Sequence, residues 1–402
     1  MYDELTGSNT SGMILLLRRS LYGLTVAAKL FYETLKGAFI NLGFLPSEND
    51  PCLFIHHAKQ ITCLCYVDDC VWTGPSGKGI EDVIRELKKT LDLNYEDEVA
   101  GFLGILMQRS DNDDGTMTLL QTGLTDRILA MLQLTDGVSN GCHTPSETQE
   151  LGSCPHSPPY DGPWSYRSVI GMMLYLSANT RPDIAYAVHQ CARYSANPTE
   201  AHAKGLKRIG RYLQSTRDKG MIINPKTNLK LDCSVDANFA GLWNVEDAND
   251  PACVRSRTGY VITLGDIPVV WSSKLQTEIS LSTMQAEYVA LSTAMRDLIP
   301  MRRLMTELCD VYGIVRDEKS TMSTVWEDNN GALALANADL PKMTPQSKYF
   351  ATKYHWFRQY IGASGGSVEV KRVCSKDQKA DIFTKPLGPG KFPAARKMLL
   401  GW

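Results

Sequence analysis

The 402-residue sequence predicts an α+β chain that closes in an α/β domain with a mixed sheet. Helical periodicity and short apolar strands alternate along it, a Pro-, Gly- and Ser-rich stretch interrupts them at 137–163, and beyond Leu229 four acids recur at the ends of successive elements. At 43% hydrophobic and 21% charged, the composition excludes disorder as the default and leaves room for two or three cores. No apolar run approaches the roughly 20 residues a membrane span needs, the stretch Met13 to Leu17 being typical, and no signal-peptide pattern opens the chain. The expected setting is intracellular, not secreted, with no membrane partner.

Eleven cysteines, an odd number spread from Cys52 to Cys374, read as reduced thiols rather than a disulfide framework. Cys142-His143 with Cys154 and His156 matches no common zinc-finger spacing. Net charge is only −2, yet residues 341–402 carry twelve Lys or Arg against Glu369, Asp377 and Asp381, a net of +9 that leaves −11 on the rest. Such a tail can supply the phosphate contacts that dominate nucleic-acid affinity, although a solvated lysine-rich surface has the same composition.

In chain order, Ala27 to Leu42 has helical periodicity, and Ile61 to Thr73 reads as two apolar strands around the turn Tyr66-Val67-Asp68-Asp69. Glu81 to Leu91 follows as a charged amphipathic helix. The stretch 137–163 carries Glu147, Glu150 and Asp161 but no Lys or Arg, and is expected to be an irregular, exposed linker. Tyr166 to Ser195 and His202 to Leu213 read as helices, the first broken at Asn179-Thr180-Arg181-Pro182, with Pro182 where a first turn tolerates it. A second boundary is expected over 224–228, before an alternating strand of Leu229, Leu231, Cys233 and Val235 that ends at Asp236.

A hairpin of Tyr260 to Leu264 and Val269 to Ser273 turns at Gly265-Asp266, and Ser282 with Gln285 forms a capping box that opens a helix. Within that helix Glu287 has Ala290, Leu291 and Ala294 on its own face, so a carboxylate lies on the apolar side. A buried carboxylate needs a basic partner or a cation, and the helix alone leaves both open. The strand Thr324 to Glu327 ends at Asp328, and Ser375 with Gln378 forms a second capping-box pattern that sets Asp381 in a first turn, where the helix dipole favours negative charge. Asp236, Glu287, Asp328 and Asp381 are hard oxygen ligands of the kind a two-metal nuclease using Mg²⁺ or Mn²⁺ requires.

Several stretches carry a family resemblance. They are Ser20-Leu21-Tyr22-Gly23-Leu24, Tyr66-Val67-Asp68-Asp69, Phe102-Leu103-Gly104-Ile105, Tyr166-Arg167-Ser168, Thr180-Arg181-Pro182-Asp183-Ile184-Ala185-Tyr186-Ala187-Val188 and Trp271-Ser272-Ser273-Lys274. Ala286-Glu287-Tyr288, Asp328-Asn329 and Lys379-Ala380-Asp381-Ile382-Phe383-Thr384-Lys385-Pro386-Leu387 complete the set. In their order and spacing they resemble the end of a Ty1/copia-type retrotransposon polyprotein, the C-terminal part of reverse transcriptase followed by ribonuclease H. The resemblance implies a partial palm and thumb over 1–136, the linker 137–163, a helical connection region over 164–223 and a ribonuclease H-like domain over 224–402.

It also implies that Asp236, Glu287, Asp328 and Asp381 hold metal for cleavage of the RNA strand of an RNA:DNA hybrid. Asp68 and Asp69 would be two of the three metal ligands of a polymerase palm, a solvated Asp-Asp turn being the alternative. Lys376, Lys379 and Lys385 would contact phosphate. Implied partners are nucleic acid and a full-length reverse transcriptase or integrase of the same element, in a cytoplasmic virus-like particle or the nucleus. An inactive binding relic and a structural subunit of a fuller polymerase are the rival roles.

Four departures from the family pattern matter. Only Asp3 and Glu4 precede the Ser20 motif, where the family places its first palm aspartate, so an N-terminally truncated, incomplete polymerase is expected. Pro300 falls inside the Glu287 helix and predicts a kink. Lys348-Tyr349-Phe350-Ala351 replaces Lys-His-Ile-Asp, while His355 remains. The insertion from Leu242 to Val254 has no physical account.

Overall fold

The computed structural model describes residues 21, 23–96, 99–111, 114–134, 141–226, 228–243, 251–338, 352–362 and 366–402. Asp3, Glu4, Ser20, the 348–351 segment and the middle of the 242–254 insertion lie outside them. The chain divides into two compact units, residues 1–98 and 99–402.

The first unit carries helix α1 (Ala27–Asn41), then an antiparallel sheet of β1 (Leu45–Pro46), β2 (Leu53–His56), β3 (Ile61–Tyr66) and β4 (Asp69–Thr73) in sequential order, then α2 (Gly77–Leu87). Alternation along β3 turns Ile61, Cys63 and Cys65 inward, and Phe39 of α1 stacks on Phe54 at 4.5 Å to close the core. Helix α2 starts at Gly77 rather than Glu81, because the Ser76 side chain caps it by accepting from Gly79 N.

The second unit opens with the antiparallel strands β5 (Gly101–Phe102), β6 (Ile105–Arg109) and β7 (Met117–Leu120), followed by α3 (Thr122–Met131), α4 (Tyr166–Asn179), α5 (Ala185–Ala192) and α6 (Glu200–Ser215). Strand β8 (Met221–Ile223) returns to pair with β7, so chain continuity rather than a domain boundary precedes the expected division at 224–228. The described part of 137–163 is irregular, but it is not a free, exposed linker. Thr144 is 1% exposed, His202 meets Gly152 O at 2.9 Å, and Gln190 Nε2 donates to Leu151 O at 2.5 Å. Backbone carbonyls with buried partners pin the segment where its composition alone predicted solvent.

Five strands then form a mixed sheet: β9 (Leu231–Asn238), β10 (Arg257–Leu264), β11 (Ile267–Leu275), β12 (Ser323–Glu327) and β13 (Val368–Arg372), in the order β11-β10-β9-β12-β13. The first three run antiparallel, and β12 is parallel to both β9 and β13. Between them lie α7 (Thr283–Tyr312), α8 (Glu318–Thr321) and α9 (Asn330–Ala336); α10 (Asp381–Thr384) and α11 (Phe392–Leu400) end the chain. Alternation along β10 sends Tyr260 and Ile262 into the core under α7, and Val261 into the core shared with α3–α6 and α11. That shared core is why the helices of 164–223 and the mixed sheet belong to one unit. No described helix is long and apolar enough to cross a membrane.

Two local expectations change. Strand β9 runs to Asn238, so Asp236 lies within it, paired with Gly259, rather than at its end. Helix α7, as expected, contains Pro300, whose missing N–H falls on the exposed side while Leu298 and Ile299 stay buried. The capping box at Ser375 does not form: Gln378 instead accepts from Ala380 N and donates to Val235 O, while Ser375 turns to Asp328.

Candidate metal centre beside the mixed sheet

Each carboxylate is set by a different element. Asp236 is carried by β9, Glu287 by the second turn of α7 behind the Ser282 cap, and Asp328 by the residue that leaves β12. One oxygen from each lies within 4.8 Å of the others. Asp236 is 1% exposed and accepts from the Thr384 hydroxyl. That contact depends on Gly259, where a Cβ would stand 2.5 Å from Thr384 Cγ2 and 2.8 Å from Phe383 Cβ; the missing side chain lets the turn containing α10 close on the sheet. Asp328 is half-buried, and its Oδ2 accepts from Ser375 Oγ at 2.9 Å.

The electrostatics of this corner are strained. Burial pushes the Glu287 carboxyl up to about 10, with Glu327, Asp236 and Asp328 adding to the rise, and its Oε2 has no hydrogen-bond partner among the described residues. Burial likewise lifts Asp236 to about 6 against the opposing charge of Lys385. Excess negative charge in a dry pocket calls for a proton or a cation.

The structure separates the fourth predicted acid from the other three. Asp381 starts α10, but its Oδ1 is 2.8 Å from Lys385 Nζ, which also stands 3.3 Å from Asp236. Burial disfavours the Lys385 charge, yet Asp236 and Asp381 outweigh it and hold the ammonium well above the ordinary lysine range. Lys385 is therefore engaged by two carboxylates. Lys379 lies 3.9 Å from Asp266, and Lys376 is exposed. His355 packs on α7, its Nδ1 3.0 Å from the Tyr288 hydroxyl.

Sequence reasoning missed Glu327. It is fully buried; Oε1 accepts from Asn329 N at 2.9 Å, and the buried Oε2 has no partner among the described residues. Burial lifts it to about 8, and it ranks first among the charges acting on Glu287. The signal was the alternation of β12: Val325 faces the core under α7, so Glu327, two residues on, shares its side.

Asp68 and Asp69 lie in the other unit, at the β3–β4 hairpin, where Tyr66 pairs with Asp69 across the two-residue turn Val67-Asp68. Both carboxylates are exposed, and among the described residues no third acid gathers with them. Val67 sits at φ +57°, a left-handed conformation that a β-branched residue adopts only under strain.

Residues 5–148 match the family model for reverse transcriptase (RNA-dependent DNA polymerase). The retrovirus-related Pol polyprotein from transposon RE1 of Arabidopsis thaliana is 32% identical over 384 residues, covering 94% of this chain and 24% of that one. An uncharacterized mitochondrial protein of the same plant is 31% identical over 235 residues, covering 58% of this chain and 92% of that one. The N-terminal RNase H domain of rv2228c from Mycobacterium tuberculosis aligns at 13% identity and a TM-score of 0.26, over 42% of this chain and 98% of that one. The chain spans about a quarter of the length of the Pol polyproteins it matches.

Proposed function

Starting from a chain that belongs to the Ty1/copia-type retrotransposon Pol family, we propose that it hydrolyses the RNA strand of RNA:DNA hybrids with a divalent cation held by Asp236, Glu287 and Asp328. One observation carries the reading: three carboxylates from three distant segments converge within 4.8 Å, and one of their buried oxygens, Glu287 Oε2, has no partner among the described residues. Hard oxygen donors with surplus negative charge fit Mg²⁺ or Mn²⁺, and among the described residues no thiol or imidazole shares the cluster. When bound, such a cation supplies charge neutralisation at the phosphate and an activated water.

The chain's own groups prepare that site. Thr384 orients Asp236, Ser375 orients Asp328, and the Ser282 cap fixes the start of the helix that carries Glu287. Glu327 adds a further buried carboxyl behind them. The 2'-hydroxyls of the hybrid's RNA strand would distinguish it from DNA. A polymerase role for Asp68 and Asp69 belongs to the same reading, with the strained Val67 presenting the turn; it requires a third ligand from outside the described residues. The setting would be a cytoplasmic virus-like particle or the nucleus, alongside a full-length reverse transcriptase or integrase of the same element.

A second reading, an inactive nucleic-acid-binding relic, is favoured by Lys385, whose ammonium stands between Asp236 and Asp381 where a second cation would otherwise be shared. The discriminating experiment is Mg²⁺-dependent cleavage of a labelled hybrid by the full chain and by Asp328→Asn. Cleavage of the RNA strand alone, abolished in the variant, supports the nuclease. Hybrid binding without cleavage by either protein supports the relic.

A further inference from the structure

Four of the eleven cysteines fall within residues 52–70, and the other seven are spread from Cys142 to Cys374. The hairpin brings the four onto one side of a sheet. Cys63 and Cys65 are two apart on β3 and so share a face, and Cys70 on β4 is the register partner of Cys65. Cys52 stands one register step beyond the pair Leu53 and Leu64, its carbonyl accepting from Cys65 N at 2.9 Å.

The sulfurs converge. Cys63 Sγ is 3.7 Å from Cys65 Sγ, Cys65 Sγ is 3.4 Å from Cys70 Sγ, and all three lie within 4.8 Å of one another. Four thiolates around Zn²⁺ at about 2.3 Å form a tetrahedron with edges of about 3.8 Å, so the three clustered sulfurs need little movement to admit an ion, and the exposed Cys52 would turn in as the fourth. Buried cysteines also serve as small apolar side chains, but apolar packing gives no reason for the sulfurs to meet each other rather than the surrounding Phe39, Phe44 and Val83. The cluster is also reachable: Cys63 and Cys65 are buried, Cys70 is half-buried, and Cys52 is exposed.

We propose that Cys63, Cys65 and Cys70, with Cys52 as the fourth donor, form a structural site for a thiophilic divalent cation of the Zn²⁺ class. Binding exchanges the S–H protons for metal–sulfur bonds and releases them to solvent, with no change of oxidation state. The ion would cross-link β2, β3 and β4 at the base of the Tyr66–Asp69 turn. This site is independent of the carboxylate centre in the other unit.

The test uses the full chain, purified reduced and stripped of metal. Addition of Co²⁺ is expected to produce a thiolate charge-transfer band that saturates at one equivalent, is displaced by Zn²⁺, is lost in Cys65→Ser and Cys70→Ser, and persists in Cys374→Ser and Asp236→Asn. A second measurement needs no variant: Zn²⁺ should protect the 52–70 cysteines, and not Cys374, from alkylation read by peptide mass spectrometry. Absence of the band together with unprotected cysteines in the wild type overturns the proposal, as does a band of unchanged strength in both serine variants.

Discussion

Lys385 Nζ stands 2.8 Å from the Asp381 carboxylate one helical turn earlier, an intramolecular ion pair at the position where a fourth metal ligand was expected. The ammonium lends part of its charge to Asp236 and so competes with any cation the cluster would hold. Lys385→Met is therefore expected to tighten Mn²⁺ binding by about tenfold, a gain of one unit of local negative charge in a partly buried site. Calorimetric titration checks this, and weaker binding in the variant would mean that Lys385 helps to shape the site.

A second ion pair is deeper. Arg181 and Asp183 meet through two hydrogen bonds of 2.9 and 2.8 Å with both side chains nearly inaccessible, and Thr216 and Tyr212 use up the remaining groups. Removing one partner strands a buried charge. Asp183→Ala should destabilise the second unit by about 3 to 5 kcal/mol in urea denaturation. Arg181→Met with Asp183→Leu together should recover much of the loss, and equal damage in the double variant would contradict the account.

His189 supplies a pH dependence. Burial, with Arg257 and Lys274 adding to it, lowers its pKa from 6.5 to about 4. The unfolded chain thus takes up a proton on this residue before the folded chain does, and stability falls as pH drops from about 6.5 toward about 4. The slope attributable to His189 is about 1 kcal/mol per pH unit. Denaturation at pH 7 and pH 5 should show it, and His189→Gln should flatten it relative to the wild type.

Pro300 lies on the exposed side of α7 and interrupts its hydrogen bonding without ending it. A proline in a helix interior costs about 3 kcal/mol, and here no buried contact offsets it. Pro300→Ala should raise the thermal midpoint. A fall would show that the proline fits a local bend that alanine does not favour.

The sequence by itself determined where the motifs fall, that a helix covers Ala27–Asn41, that another opens behind the Ser282 cap and carries Glu287, and that the Tyr66–Asp69 turn joins two strands. These features rest on local periodicity and capping, which short windows of sequence encode. Tertiary structure alone decided which acids meet. Asp381 and Lys385 pair locally, four residues apart, but the approach of their turn to Asp236 depends on the room left by Gly259, 122 positions before Asp381. Glu327 escaped notice because its burial against Glu287 requires α7 to lie over β12, a contact between segments distant in sequence. For the same reason the described part of 137–163, a stretch that composition marks as a solvent-exposed linker, is held down by His202 and Gln190: hydrogen-bond partners supplied by another part of the chain leave no trace in the composition of the segment that accepts them.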